Sequence, residues 1–135
     1  MVGLVIVSHG KLGSELISVA EVIVGKMEGV EAVSIGSVID VDHARDEIGA
    51  AVKRVQRGDG VLVFTDMFGG TPSNLALAFL DEGVEVLTGV NLPMVIKYAN
   101  HRKDKGLGEL ASLVQEGGLK SIIIASNVLR QKAKK

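Results

Sequence analysis

The sequence predicts an α/β protein, a doubly wound, mainly parallel sheet in strand order 2-1-3-4 with helices on both faces. Three observations carry this. Continuous apolar, β-branched runs alternate with segments of helical periodicity along the chain, as in parallel strands joined by right-handed crossovers. Apolar residues make up 47% of the 135 residues, enough for one domain with a sheet buried on both faces. Three Gly-containing loops each follow a strand, at the edge where such sheets open a crevice.

Residues 2–8 read as the first strand, an unbroken apolar run bounded by Gly10. In residues 12–24, Leu12, Leu16, Ile17, Val19, Ala20, Ile23 and Val24 recur at helical spacing, and Gly25 is the stop. Residues 32–35 form a short second strand. Asp42 is the expected N-cap of a helix to about Gln56, with Ala44, Ile48, Ala51, Val52 and Val55 on one face. Residues 60–65 are a third buried strand. The loop 66–71 contains Gly69-Gly70, and Pro72 suits the first turn of a helix over 73–80. Residues 84–88 are a fourth strand, and a further helix opens at Pro93. Residues 101–106 are a polar break. A helix over 107–115 is expected to close at Gly117-Gly118, followed by a last strand over 121–125. Residues 1–126 are expected to be a single domain, and 127–135 a basic tail frayed from residue 130.

Composition excludes several functions. The net charge is −1, against a general nucleic-acid surface. Aromatic residues are only 3%, too few for base stacking as a main strategy. No cysteine is present, which removes disulfides, thiolate catalysis and Cys-based zinc sites. No P-loop pattern is found, so ATP is not expected as a direct donor; no cofactor and no metal are expected. No apolar run approaches the roughly 20 residues that span a bilayer. The first strand has no basic segment before it, so no signal peptide is read. A cytoplasmic location follows.

His9 ends the first strand. Imidazole is nucleophilic through either nitrogen and titrates near neutrality when unperturbed. With strands one and three adjacent, His9 and Asp66 meet at the switch point of the sheet. A carboxylate bonded to one imidazole nitrogen fixes the tautomer and leaves the other as nucleophile. Gly69 and Gly70 allow backbone N–H groups to turn toward an anion, Thr71 and Ser73 add hydroxyls, and the helix at Pro72 presents its positive end. An imidazole beside an anion nest suggests phosphoryl transfer. Taken singly, each element has a structural alternative. A histidine after a strand can be packing, Asp66 can cap its loop, and Gly-Gly can serve a turn. His43 and His101 lie in polar surroundings and read as surface residues.

The segments VGLVIVSHG, VLVFTDMFGGTPSN and VLTGVNLPMV, in this order and spacing, resemble the mannose-type IIA domains of the bacterial phosphoenolpyruvate-dependent sugar phosphotransferase system. The resemblance spans about residues 2–125, and DMFGGTPSN is its most specific part. It implies that His9 accepts a phosphoryl group from the phosphocarrier protein HPr and passes it to a IIB component, with Asp66 orienting the imidazole and Thr71 beside the phosphoryl group. It also implies a homodimer in which the last strand, residues 121–125, is exchanged antiparallel between subunits. Both partners must reach the same phosphorus, so a shallow, partly apolar surface is expected around His9, with Met67, Phe68 and Leu92 as its candidates. No nucleic acid and no membrane insertion are implied. A regulatory module, whose His9 phosphorylation controls partner binding without sugar transport, is the alternative. A ligand-binding domain of the same shape without chemistry is a third.

Overall fold

The computed structural model describes residues 1–133. The elements run β1 (Gly3–His9), α1 (Leu12–Val24), β2 (Val30–Ile35), α2 (Val41–Val55), β3 (Val61–Thr65), α3 (Thr71–Leu77), β4 (Val84–Thr88), α4 (Leu92–His101), α5 (Leu107–Lys120) and α6 (Ala125–Ala133). The sheet order is β2-β1-β3-β4 and every pairing is parallel. Alternation along β1 builds the two layers. Val5 and Val7 join Ile48, Val55 and Leu75 under α2 and α3. Leu4 and Ile6 join Phe64, Val95, Tyr98 and Leu110 under α1, α4 and α5. Successive residues of a strand face opposite sides, so one continuous apolar run feeds both cores.

Tyr98 ties the amino edge of the sheet together. Its ring meets Phe64 edge-on, centroids 6.4 Å apart. Its hydroxyl donates to the Val2 carbonyl at 2.6 Å and accepts from Arg102 Nη1 at 3.0 Å. Arg102 is buried, with its guanidinium 5.5 Å from the Tyr98 ring centroid. Burial pushes the Tyr98 hydroxyl above its ordinary pKa, against the opposing pull of Arg102. Tyr98→Phe is expected to cost about 1–3 kcal/mol, because a buried carbonyl and a buried cation lose a partner together; urea unfolding measures it.

Several boundaries differ from the sequence expectation. β2 begins at Val30 rather than at residue 32. Asp40, not Asp42, caps α2. Its carboxylate accepts from the His43 N–H at 3.1 Å, and Asp42 lies in the first turn. An Asp at 40 reaches the N3 amide of a helix that starts at Val41, and the earlier cap gains helical residues. α3 starts at Thr71 and ends at Leu77, and residues 78–80 close by i→i+3 bonds, Ala78 to Leu75 and Phe79 to Ala76. α5 does not stop at Gly117-Gly118 but runs through both to Lys120. A Cβ at Gly118 would lie 2.6 Å from Met94 Cγ, so this glycine lets α5 approach α4.

Residues 121–125 do not form a strand. Ile122, Ile123 and Ile124 are irregular and exposed, at 77%, 60% and 67%. A strand needs a ladder partner, and these residues have none among the described residues of the chain. The segment expected to fray is helical to Ala133, although none of α6 is buried; residues 134–135 of the expected tail lie outside the described residues.

Candidate functional site

The carboxyl ends of β1 and β3 are neighbours, with Val7 opposite Thr65 in register. His9 and Asp66, the last residue of β1 and the first beyond β3, therefore meet. Asp66 Oδ2 lies 2.7 Å from His9 Nδ1 and also accepts the His9 backbone N–H at 2.8 Å. Oδ1 accepts the Met67 N–H at 2.9 Å. Burial alone pushes the Asp66 carboxyl up. The hydrogen bonds from the His9 backbone and ring, the imidazole's charge and the Met67 N–H outweigh it and hold the group below its ordinary value. An ionised carboxylate accepts only, so the Nδ1 facing it carries a proton, which in the neutral ring leaves the lone pair on Nε2. The His9 side chain is 53% exposed and that of Asp66 only 11%. The carboxylate is thus sheltered beneath an imidazole open to a large partner.

The β1–α1 turn is fixed from below. Ser8 is buried and its Oγ accepts the Gly13 N–H at 2.9 Å. The third loop is tied through Asn91, whose side chain caps α4 by accepting from the Met94 N–H and donates to the Gly118 carbonyl at 3.2 Å. Gly69 has φ +87° and Gly70 is the N-cap of α3. A positive φ is the backbone state that favours glycine. Thr71 opens the helix half-buried. Ser73 does not reach the site surface. It is fully buried, and its Oγ has no hydrogen-bond partner, because the third helical position turns inward with Leu75 and Ala76.

Met67 and Phe68 are exposed, at 56% and 74%. Leu92 is half-buried against the core under α1 and α4, so it is largely a packing residue. The sequence reading missed Val38, which is 94% exposed in the β2–α2 connection. That connection leaves the same sheet edge, since Ile35 pairs with His9. The signal was an apolar pair, Val38-Ile39, in an otherwise polar turn. His43 lies on the surface, 3.1 Å from Glu47. His101 lies near the far edge of the sheet, where the Arg102 carbonyl accepts the Val2 N–H. Among the described residues no group of three or more His, Asp or Glu is placed to hold a metal ion, and no helix is long and apolar enough to cross a membrane.

With this geometry, comparison with known proteins is specific. The family described as PTS system fructose IIA component matches residues 3–115. The chain belongs to this family of IIA components of the sugar phosphotransferase system. It is 28% identical over 124 residues to the PTS system mannose-specific EIIAB component of Escherichia coli K12, a match covering 90% of this chain and 38% of that protein. The chain thus spans well under half the length of its mannose-specific relatives. It is 26% identical over 133 residues to the PTS system fructose-specific EIIA component of Bacillus subtilis 168, covering 97% of this chain and 91% of that one. The phosphotransferase system component EIIA of Streptococcus agalactiae superposes with a TM-score of 0.84 at 26% identity, covering 94% of this chain and 99% of the other. The mannose/sorbose-specific IIA subunit of Enterococcus faecalis gives 0.82 at 26% identity, covering 91% and 93%.

Proposed function

We propose that His9 is a phosphoryl carrier: it takes the group from phospho-HPr and passes it to a IIB component. The observation that carries this is the 2.7 Å contact between His9 Nδ1 and Asp66 Oδ2 on a half-exposed ring. In the first step the N–P bond of the donor histidine breaks as an Nε2–P bond forms on His9, and in the second that bond breaks toward IIB. The Nδ1 proton stays with the imidazole, and the Asp66 carboxylate stabilises the positive charge that develops on the ring. Backbone N–H groups at Gly69 and Gly70 and the Thr71 hydroxyl face the phosphoryl oxygens; Ser73, being buried, supplies no hydroxyl there. The reading makes residues 1–126 one IIA domain and places it in the cytoplasm. Incubation with phosphoenolpyruvate, enzyme I and HPr, followed by intact mass, tests it. One added phosphoryl group that moves to IIB supports the relay, and one that is gained but never passed on favours the regulatory alternative.

Met67 and Phe68 form the apolar part of the partner surface, and Val38 extends it across β2. Phe68→Ala is expected to slow transfer from HPr or to IIB while changing unfolding free energy by less than about 0.5 kcal/mol, as surface positions do. Loss of stability with normal transfer would place Phe68 in the packing.

The carrier works as a homodimer. β4 is an open edge, flanked by a groove of about 540 Å³ that Leu77, Val86, Leu87 and Leu119 help to line. Ile122–Ile124 of a second copy supply the strand that an unprotected edge lacks. Ile123→Asp is expected to give a monomer in analytical ultracentrifugation; an unchanged dimer would end the exchange reading.

A further inference from the structure

The two glycines of the DMFGGTPSN segment stand in different surroundings. Gly69 needs its positive φ, and a Cβ built on it meets nothing within 4 Å. Gly70 has φ −83°, which any residue adopts. A Cβ at Gly70, however, lies 3.3 Å from His9 Cε1 and 3.4 Å from Met67 Cγ. Carbon pairs are most comfortable at about 3.5–4.0 Å, so a methyl here must displace something by a few tenths of an ångström. Met67, 56% exposed, can give way, but the closer contact falls on the His9 ring. It is half-exposed, and the hydrogen bond from Nδ1 to Asp66 holds it.

We propose that Gly70 is a positioning residue for His9: the side chain it lacks leaves the space the imidazole occupies when Nδ1 reaches Asp66. Gly69 shapes the loop, and Gly70 clears the ring. Cε1 lies between the two ring nitrogens, so a contact there tilts the nucleophilic Nε2 as it lengthens the bond at Nδ1. The consequence for transfer rate rests on His9 being the phosphoryl acceptor; the consequence for the ring does not.

The test compares Gly70→Ala with Gly70→Ser. Both add the Cβ. Alanine is a poor N-cap and serine a good one, so serine restores any loss that came from capping α3. Nitrogen-15 NMR of the unphosphorylated protein is expected to show His9 held as the Nδ1–H tautomer in the parent and mixed tautomers in both variants. Single-turnover phosphorylation by phospho-HPr is expected to be on the order of tenfold slower in both, a small displacement costing less than a full 1 Å misplacement. The donor concentration at half-maximal rate stays unchanged. Retention of the parent tautomer and rate by Gly70→Ser would overturn the proposal. So would unfolding of both variants, because the collision would then fall on the scaffold instead of the ring. If HPr fails to phosphorylate the parent protein, the carrier reading fails, while the NMR comparison still decides the role of Gly70.

Discussion

His9→Ala is expected to abolish phosphoryl acceptance from phospho-HPr while leaving the fold intact. Neither other histidine can substitute. His43 pairs with Glu47 on an exposed helix face, and His101 lies near the opposite edge of the sheet. Neither stands beside the Gly69-Gly70 loop. Ser8 is buried with its Oγ engaged by Gly13, and among the described residues no side chain is hydrogen-bonded to the Thr71 hydroxyl to act as its base. The stability cost is small. Asp66 loses one side-chain donor but keeps two backbone N–H groups, a change of about 1 kcal/mol for one hydrogen bond. In the parent protein the added group should be lost in acid and kept in base, since a phosphoramidate hydrolyses once protonated. Intact mass before and after acid treatment measures both points. Label remaining on Ser8, Thr71 or His101 in the alanine variant would sink the assignment.

The parts of the fold legible in the sequence are those where one physical rule acts alone. Parallel strands buried on both faces must be continuous apolar runs. β1 and β3 are such runs, so their positions and the adjacency of His9 and Asp66 follow; β4, with Glu85 inside it, is the partly buried edge strand. Ambiguity enters where two rules compete. Asp40 and Asp42 both make good caps, and only the path from Ile35 selects Asp40. Gly117-Gly118 carries the signature of a helix stop, yet Met94 on the facing helix requires a missing side chain at that place. Contact between two helices distant in sequence leaves no local trace. The isoleucines at 122–124 have strand propensity without a ladder among the described residues of their own chain. Propensity names what a segment accepts, and a partner decides whether it forms.

The same distinction applies to the site. Histidine at a strand end, an acid after the neighbouring strand and a glycine pair were readable because backbone topology alone brings them together. Inward or outward orientation was not. Ser73 is expected beside Thr71 as a hydroxyl donor, but the start of α3 rotates it beneath the surface. Leu92 sits on a crevice loop and still packs into the core, because α4 begins at that residue and its first turn lies against the end of α5, where Asn91 and Met94 meet Gly118. Val38 escaped notice because a single apolar pair in a connection has no periodicity to read.

Asp66→Asn is expected to slow phosphoryl transfer on the order of 100-fold, the effect of losing one preorganised electrostatic contact in a site. Asp66 receives three hydrogen bonds, two from His9 on Oδ2 and one from Met67 on Oδ1. An amide has a single acceptor oxygen, so its NH₂ must face a backbone N–H whichever way it turns. If the oxygen faces His9, the tautomer survives but the negative charge that stabilises the phosphorylated ring is gone. If the NH₂ faces His9, Nδ1 becomes an acceptor and Nε2 carries the proton, which removes the nucleophile. Stability should fall by about 1–3 kcal/mol near neutral pH, the penalty of an unmatched polar group. The pH dependence has a definite sign. The native carboxyl titrates below its ordinary value near 3.8, so it stabilises the fold above that value and the contribution is lost as pH falls through the depressed native pKa. An amide does not titrate, so the difference in unfolding free energy between parent and variant should shrink as acid is added. Urea unfolding from neutral pH down to about pH 3, alongside single-turnover transfer rates, measures both effects. A variant that transfers at the parent rate, or whose stability deficit is the same at every pH, would show that Asp66 neither orients His9 nor carries the charge assigned to it.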